Sequence, residues 1–178
     1  MDLQRGENYK MLGLPRGEVF LVPWTEDWLK QYLLEKDKIK NKIEDFIIDI
    51  HHIGSTAVKG LSAKPIIDIA VELKRFNDGK LCAAPLERLG YTYHGMNILP
   101  DRHYFSKGEP RTHQIHMFET RSKYLIDQLK FRDFLRSNAN ARRKYEKLKI
   151  QLADIYKHNK HEYADAKTDF VNSILGKV

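Results

Sequence analysis

The alternation of apolar and polar positions divides the chain into recognisable pieces. "EVFLVPW", from Glu18 to Trp24, reads as a short strand ended by Pro23, whose missing N–H closes the ladder. Thr25 follows as a helix cap, with Glu26 and Asp27 behind it to meet the free amides of a first turn. Trp28, Tyr32, Ile39 and Ile43 then recur at helical spacing and predict an amphipathic helix to about Glu44. "FIIDIHHIG" and "PIIDIAVEL" are rich in β-branched residues and predict strands over 46–53 and 65–73, packed as neighbours against that helix. Between them "STAVKGLSAK" is long enough for about one helical turn.

Downstream, a helix from Asp78 to Leu89 is expected to stop at Gly90, a favourable residue past a helix end. "YTYHG", "RHYFS" and "THQIHMFE" are further strands, joined through Gly95, Pro100, Gly108 and Pro110. Beyond Thr120 the period becomes helical. One helix runs near Ser122 to Ser137, a second carries Tyr145, Leu148, Leu152 and Ile155, and a third carries Tyr163, Ala166, Phe170 and Ile174. A mixed central sheet with an N-terminal helix and C-terminal helices makes the fold class α+β. Residues 1–17, mixed and Gly-rich, predict a loose arm before a domain spanning 18–178.

With 178 residues, 42% hydrophobic and 31% charged, the chain can bury one sizeable core. Cys82 is the only cysteine, which excludes an internal disulfide and a Cys-rich zinc site. No apolar run approaches the roughly 18 residues of a membrane span. The first residues also lack the apolar core of a signal peptide, so a cytoplasmic location is expected, with no membrane partner. A net charge of +7 favours anionic partners, nucleotides or nucleic acid. Much of it lies in "NANARRKYEKLKIQLADIYKHNKHEYADAK", which reads as a solvated helix face with interleaved acids.

Chemistry concentrates in "HHIGSTAVKGLSAKPIIDIAVEL". Gly54 permits close approach to the backbone, and Ser55 and Thr56 can donate to an anion above the turn, with Lys59 and Lys64 nearby. An ordinary capped turn has the same residues. Asp68 interrupts an apolar strand, and burying it requires a partner: a basic neighbour, hydrogen bonds or a metal. Strand alternation puts Arg111, His113 and Ile115 on one face and Thr112, Gln114 and His116 on the other. His116 is either a hydrogen-bonded core histidine or a ligand, whereas His51 and His52 point opposite ways. In "FRDFLR", Arg132 and Arg136 either face a cleft or pair with Asp133 or Asp127 along the helix surface.

"HIGSTAVKGLSAKPIIDI", "RTHQIHMFE", "FRDFLR" and "YADAKTDFV", in that order over nearly the whole chain, resemble the GrpB family, also labelled UPF0157. The resemblance implies the nucleotidyltransferase superfamily and its DNA polymerase β type of mixed sheet. It further implies a Gly-Ser turn, here Gly54 and Ser55, that cradles phosphates, and an acidic element beginning at Asp68 that holds magnesium for phosphoryl transfer. The pattern departs where the second acid belongs, because that position is Ala70. Glu72 shares the face but lies roughly 6–7 Å further along. The later strand offers His116 where a third acid is usual.

The expected ligand is therefore a nucleotide or other phosphorylated small molecule. Gly54, Ser55, Thr56, Lys64, Arg111, His113 and Arg132 are the expected contacts, and either Asp68 with His116 takes one Mg²⁺ or another divalent cation or the site holds no metal. The alternatives are a metal-dependent nucleotidyl or phosphoryl transferase with Asp68 as its catalytic acid, and an RNA- or protein-associated factor using the basic helices.

Overall fold

A computed structural model describes residues 12–178 of the chain. The strands are β1 (Ile47–Ile53), β2 (Ile67–Leu73), β3 (Tyr91–Tyr93), β4 (His103–Lys107) and β5 (His113–Glu119), and they form one sheet in the order β1-β2-β5-β4-β3. β1 runs antiparallel to β2, and β2 runs parallel to β5, with Asp68 opposite Gln114 and Ala70 opposite His116. β4 and β3 complete the sheet antiparallel. The mixed sheet and its helices make the α+β class that the hydrophobic pattern predicts.

Helix α1 (Asp27–Ile43) covers one face. Its Trp28, Tyr32, Ile39 and Ile43 share a core with Ile67, Ile69, Val71 and Leu73 of β2 and with Ile115 and Met117 of β5. Alternation turns the intervening residues to the other face, where Ile53, Ala70 and Phe118 meet Leu125 of α4 (Lys123–Ser137). Helices α5 (Ala139–Ile155), α6 (Lys160–Asp165) and α7 (Thr168–Leu175) complete that side. Val58 and Leu61, from the β1–β2 connection, pack there with Leu135, Tyr145 and Ile174. The layering sets the orientation of Asp68, since the strand that gives its odd-numbered isoleucines to α1 must aim Asp68 at the C-terminal helices. No helix among the described residues is long and apolar enough to cross a membrane.

Three local expectations are corrected. "EVFLVPW" is extended but forms no strand. Val22 makes one isolated bridge with Ala63, and Val19 N donates instead to Lys157 O at 2.7 Å, so no continuous neighbour is available to it. The expected helix from Asp78 to Leu89 is two short ones, α2 (Asp78–Leu81) and α3 (Ala83–Glu87). Pro85 has no N–H to return to residue 81, which accounts for the interruption. The last predicted helix breaks between α6 and α7, where Lys167 N reaches back only three residues to Ala164 O and tightens the turn. Of the predicted arm, residues 1–11 lie outside the described residues. Residues 12–17 are docked, through Gly13 N to Pro65 O (2.9 Å) and a bridge from Leu14 to Arg111.

One charge is buried between α1 and the sheet. Glu35 is 3% exposed and accepts from Lys107 Nζ at 2.7 Å and from Tyr91 OH at 3.0 Å. Burial works against its ionisation, yet the Lys107 hydrogen bond and charge hold its pKa below the ordinary carboxylate value. Glu35→Ala leaves both donors facing a cavity, so it should destabilise the fold by about 3–5 kcal/mol, read as a lower urea midpoint at unchanged slope.

Candidate functional site

At the end of β1 the chain turns sharply. Gly54 has φ +70° and ψ −173°, and a 3₁₀ turn, Ser55–Ala57, follows. A β-carbon at position 54 would lie 2.7 Å from Asp68 Oδ2, so the residue must be glycine on two grounds, its positive φ and its contact. The neighbour that approaches this α-carbon is the Asp68 carboxylate. The hydroxyls of the turn then part company. Thr56 Oγ1 lies 3.0 Å from Nε2 of His52, whose pKa falls to about 3 through burial and the charges of Arg136 and Arg132. Ser55 Oγ accepts from Lys149 Nζ at 3.0 Å.

Lys149 reaches the turn from α5. It is 1% exposed and also donates to Ser62 O. Burial, helped by the charge of Lys167, brings its pKa down to about 7. Lys64 Nζ and Lys167 Nζ stand 5.4 Å and 4.3 Å from the centre of the buried Tyr163 ring. Among the described residues neither forms a salt bridge. Burial lowers the pKa of both, and that of Lys167 to about 7. Between the turn, Asp68 and helices α4 to α7 lies a cavity of about 330 Å³, lined among others by Gly54, Ser55, Lys64, Lys149, Tyr163 and Lys167.

Asp68 sits on the wall formed by the sheet. Its Oδ1 accepts from Gln114 Nε2 at 3.1 Å, and Gln114 Oε1 in turn accepts from Tyr104 OH at 2.6 Å. Burial raises its pKa to about 6 even though Lys64, Lys167 and Arg111 favour the charged form. Gly54, Ser55, Thr56, Lys64, Asp68 and Arg132 all line the cavity, as the sequence suggests for a site. Thr56, however, has its hydroxyl committed to His52. Arg132 is tied by Nη1 to His52 O (3.0 Å) and by Nε to Asp133 (2.8 Å), so it is pinned rather than free to reach a ligand.

Three predicted residues are not brought in. His113 shares the α1 face with Ile115, as strand alternation requires, and its Nδ1 lies 2.9 Å from Thr112 Oγ1. Arg111 has its backbone paired with Leu14 and acts on Asp68 only by its charge. His116 is on the correct face but stands beside Ala70 and stacks on Tyr104, with ring centres 5.3 Å apart. Burial and the Arg102 charge take its pKa to about 3. The residue beside Asp68 is Gln114, a neutral hydrogen-bond donor.

Nor does an acid complete the set. Glu72 accepts from Thr120 Oγ1 at 2.6 Å, and Glu119 accepts from Phe76 N at 3.3 Å. Among the described residues no group of three His, Cys, Asp or Glu side chains is arranged to hold a metal. A divalent cation therefore does not fit the donor set, which offers one carboxylate bonded to Gln114 and faced by lysines. The sequence reading missed Lys149, Lys167 and their ring partners. A signal was present: Tyr145–Lys149 and Tyr163–Lys167 are each spaced four apart, which places Lys149 on the buried side of α5, while Lys167, in the turn between α6 and α7, comes back over the Tyr163 ring.

The fold defines a class. The structure superposes on a mutant of the Cid1 poly(U) polymerase bound to MgATP with a TM-score of 0.53 and 10% identity, covering 74% of this chain and 43% of that one. This likeness makes the fold nucleotidyltransferase-like. The family described as "GrpB protein" matches residues 18–177, and the chain belongs to it. The glutamate-rich protein GrpB of Alkalihalophilus pseudofirmus is 35% identical over 175 residues, 94% of this chain and 100% of that protein. The crystal structure of the conserved protein GrpB from Enterococcus faecalis superposes with a TM-score of 0.82 and 31% identity, covering 89% of this chain and 96% of that one.

Two outcomes test the turn. Gly54→Ala should cost about 1–3 kcal/mol from backbone strain alone. In a double-mutant cycle with Asp68→Ala, which removes the 2.7 Å neighbour, the summed losses should exceed the double variant's by about 0.5 kcal/mol or more. Strict additivity would remove the contact from the explanation. Asp68 has a folded pKa near 6 against 3.8 unfolded, so its penalty on stability grows as pH rises through that window. Asp68→Asn, which mimics the protonated form, should therefore gain stability over the parent between about pH 4 and 6 and hold a gain of roughly 1–2 kcal/mol above it, measured from thermal midpoints.

Proposed function

We propose that the cavity binds a nucleotide or another phosphorylated small molecule, and that this chain is a binding module built on a nucleotidyltransferase-like fold. The observation that carries the reading is that Lys64, Lys149 and Lys167 line one cavity with the Gly54–Ser55 turn, Lys149 donating to Ser55 itself. Buried or half-buried ammonium groups with few acids around them are costly, and a phosphate would relieve that cost by supplying the missing negative charge. The turn adds a hydroxyl and close backbone approach.

Catalysis by two metal ions is the less favoured reading. It needs a carboxylate set that clamps both the attacking and the leaving oxygen, and Asp68 has Ala70 and Gln114 beside it instead. Nucleotidyl transfer with labelled nucleoside triphosphates and Mg²⁺ or Mn²⁺ should accordingly be weak or absent. Robust turnover that disappears in Asp68→Asn would promote the transferase. Ala70→Asp is the converse trial and should gain affinity for Mn²⁺ that the parent lacks.

Binding itself is tested by calorimetry with a nucleotide panel. Ser55→Ala and Lys64→Ala should each weaken the tightest ligand found, by roughly five- to tenfold if a charge-assisted hydrogen bond is lost. Affinity unchanged in both variants would count against the site.

A further inference from the structure

We propose that the cavity takes a phosphate monoester dianion and binds it without a divalent cation, its lysines supplying the charge; this rests on the phosphorylated-ligand reading above. Three features of the cavity lead there. The first is a charge count. When ionised, Lys64, Lys149 and Lys167 set three positive charges against the one carboxylate of Asp68, a surplus of two. The other charged groups on the wall are already neutralised in pairs, Arg132 with Asp133 and Asp127 with Lys123. A phosphate monoester, with its second pKa near 6, carries about two negative charges at neutral pH, and its approach favours the charged forms of Lys149 and Lys167, whose pKa values otherwise fall to about 7, so that ligand and lysines balance once together.

The second feature is size. About 330 Å³ lies at the small end of ligand cavities, which run from roughly 300 to 1,000 Å³. It holds a phosphoryl group and a modest ester. A triphosphate chain is larger and more highly charged, and enzymes that handle one bring magnesium to share the load. The third feature is the position of the cations. The charges of Lys64 and Lys167 both act on Asp68, where a nucleotidyltransferase would place its metal, and a divalent cation there would be repelled by both ammonium groups. Lys149 supplies the opposite side from beneath Ser55, with two of its three hydrogens given to Ser55 and Ser62 and one left to donate. The Tyr163 ring below Lys64 and Lys167 steadies both ammonium groups on its face.

The test uses phenyl phosphate, a monoester with no base to bind elsewhere, and phenyl sulfate, of the same shape but with a single charge. The full chain is titrated with each in EDTA and again with Mg²⁺, and nucleotides are titrated in parallel. Phenyl phosphate should bind with the same Kd in both solutions and at least about tenfold more tightly than phenyl sulfate. Lys167→Met should weaken it by about tenfold, while Lys167→Arg should restore most of the loss. Lys149→Met is informative only if its unfolding curve matches the parent, and Lys167→Met carries the test if it does not. Phenyl phosphate binding that requires Mg²⁺, or equal affinity for phenyl sulfate, overturns the cation-free dianion site while leaving a phosphorylated ligand in place. Tight nucleotide binding with no phenyl phosphate binding likewise overturns it alone. No binding by any of these ligands removes both readings.

Discussion

Asp68 lies against the bare α-carbon of Gly54, and much else follows from that contact. It draws the end of β1 over the start of β2 so closely that position 54 admits no side chain. It thereby fixes where the following turn presents Ser55. The same carboxylate is bonded to Gln114, which locks β5 alongside and extends to Tyr104 on β4. One acidic residue thus ties together four of the five strands' worth of geometry on the face that carries the cavity. Burial resists the arrangement by raising the acid's pKa, and nearby lysines offset part of that cost. Site and scaffold are in this respect the same set of atoms.

Much of the fold is legible in the sequence because its long elements are strongly periodic. The stripe Trp28, Tyr32, Ile39 and Ile43 and the β-branched runs of β1 and β2 each have only one way to bury themselves, against each other. The short elements are less legible. "EVFLVPW" has strand composition, but composition does not say whether a neighbour is present to pair with it, and the sheet ends at β1 without it. Pro85 divides a helix that its apolar spacing would have continued.

The site was half legible for a related reason. Gly54, Ser55, Lys64 and Asp68 sit in one stretch, so their proximity could be read from strand and turn geometry. Lys149 of α5 and Lys167 of the α6–α7 turn reach the cavity only in three dimensions, and in a basic segment one buried and one half-buried lysine look like their solvated neighbours Lys144 and Lys147. The tyrosines four residues before each were the distinguishing mark. His113 and His116 erred in the opposite direction. Each is chemically suited to a site, but one faces α1 and the other lies beside Ala70.

Ser55 and its lysine are 94 residues apart in the chain, and Lys167 comes later still. During synthesis the sheet and its glycine turn are made well before the helices that charge them. A ribosome-bound fragment ending before α6 holds the turn but has neither Tyr163 nor Lys167. The cavity is complete only when α6 and α7 have packed against α4 and α5, so any ligand it accepts binds a chain in which those helices are already made. Such a ligand would couple its occupancy to the docking of α6 and α7, holding in place helices that are made after the turn they enclose.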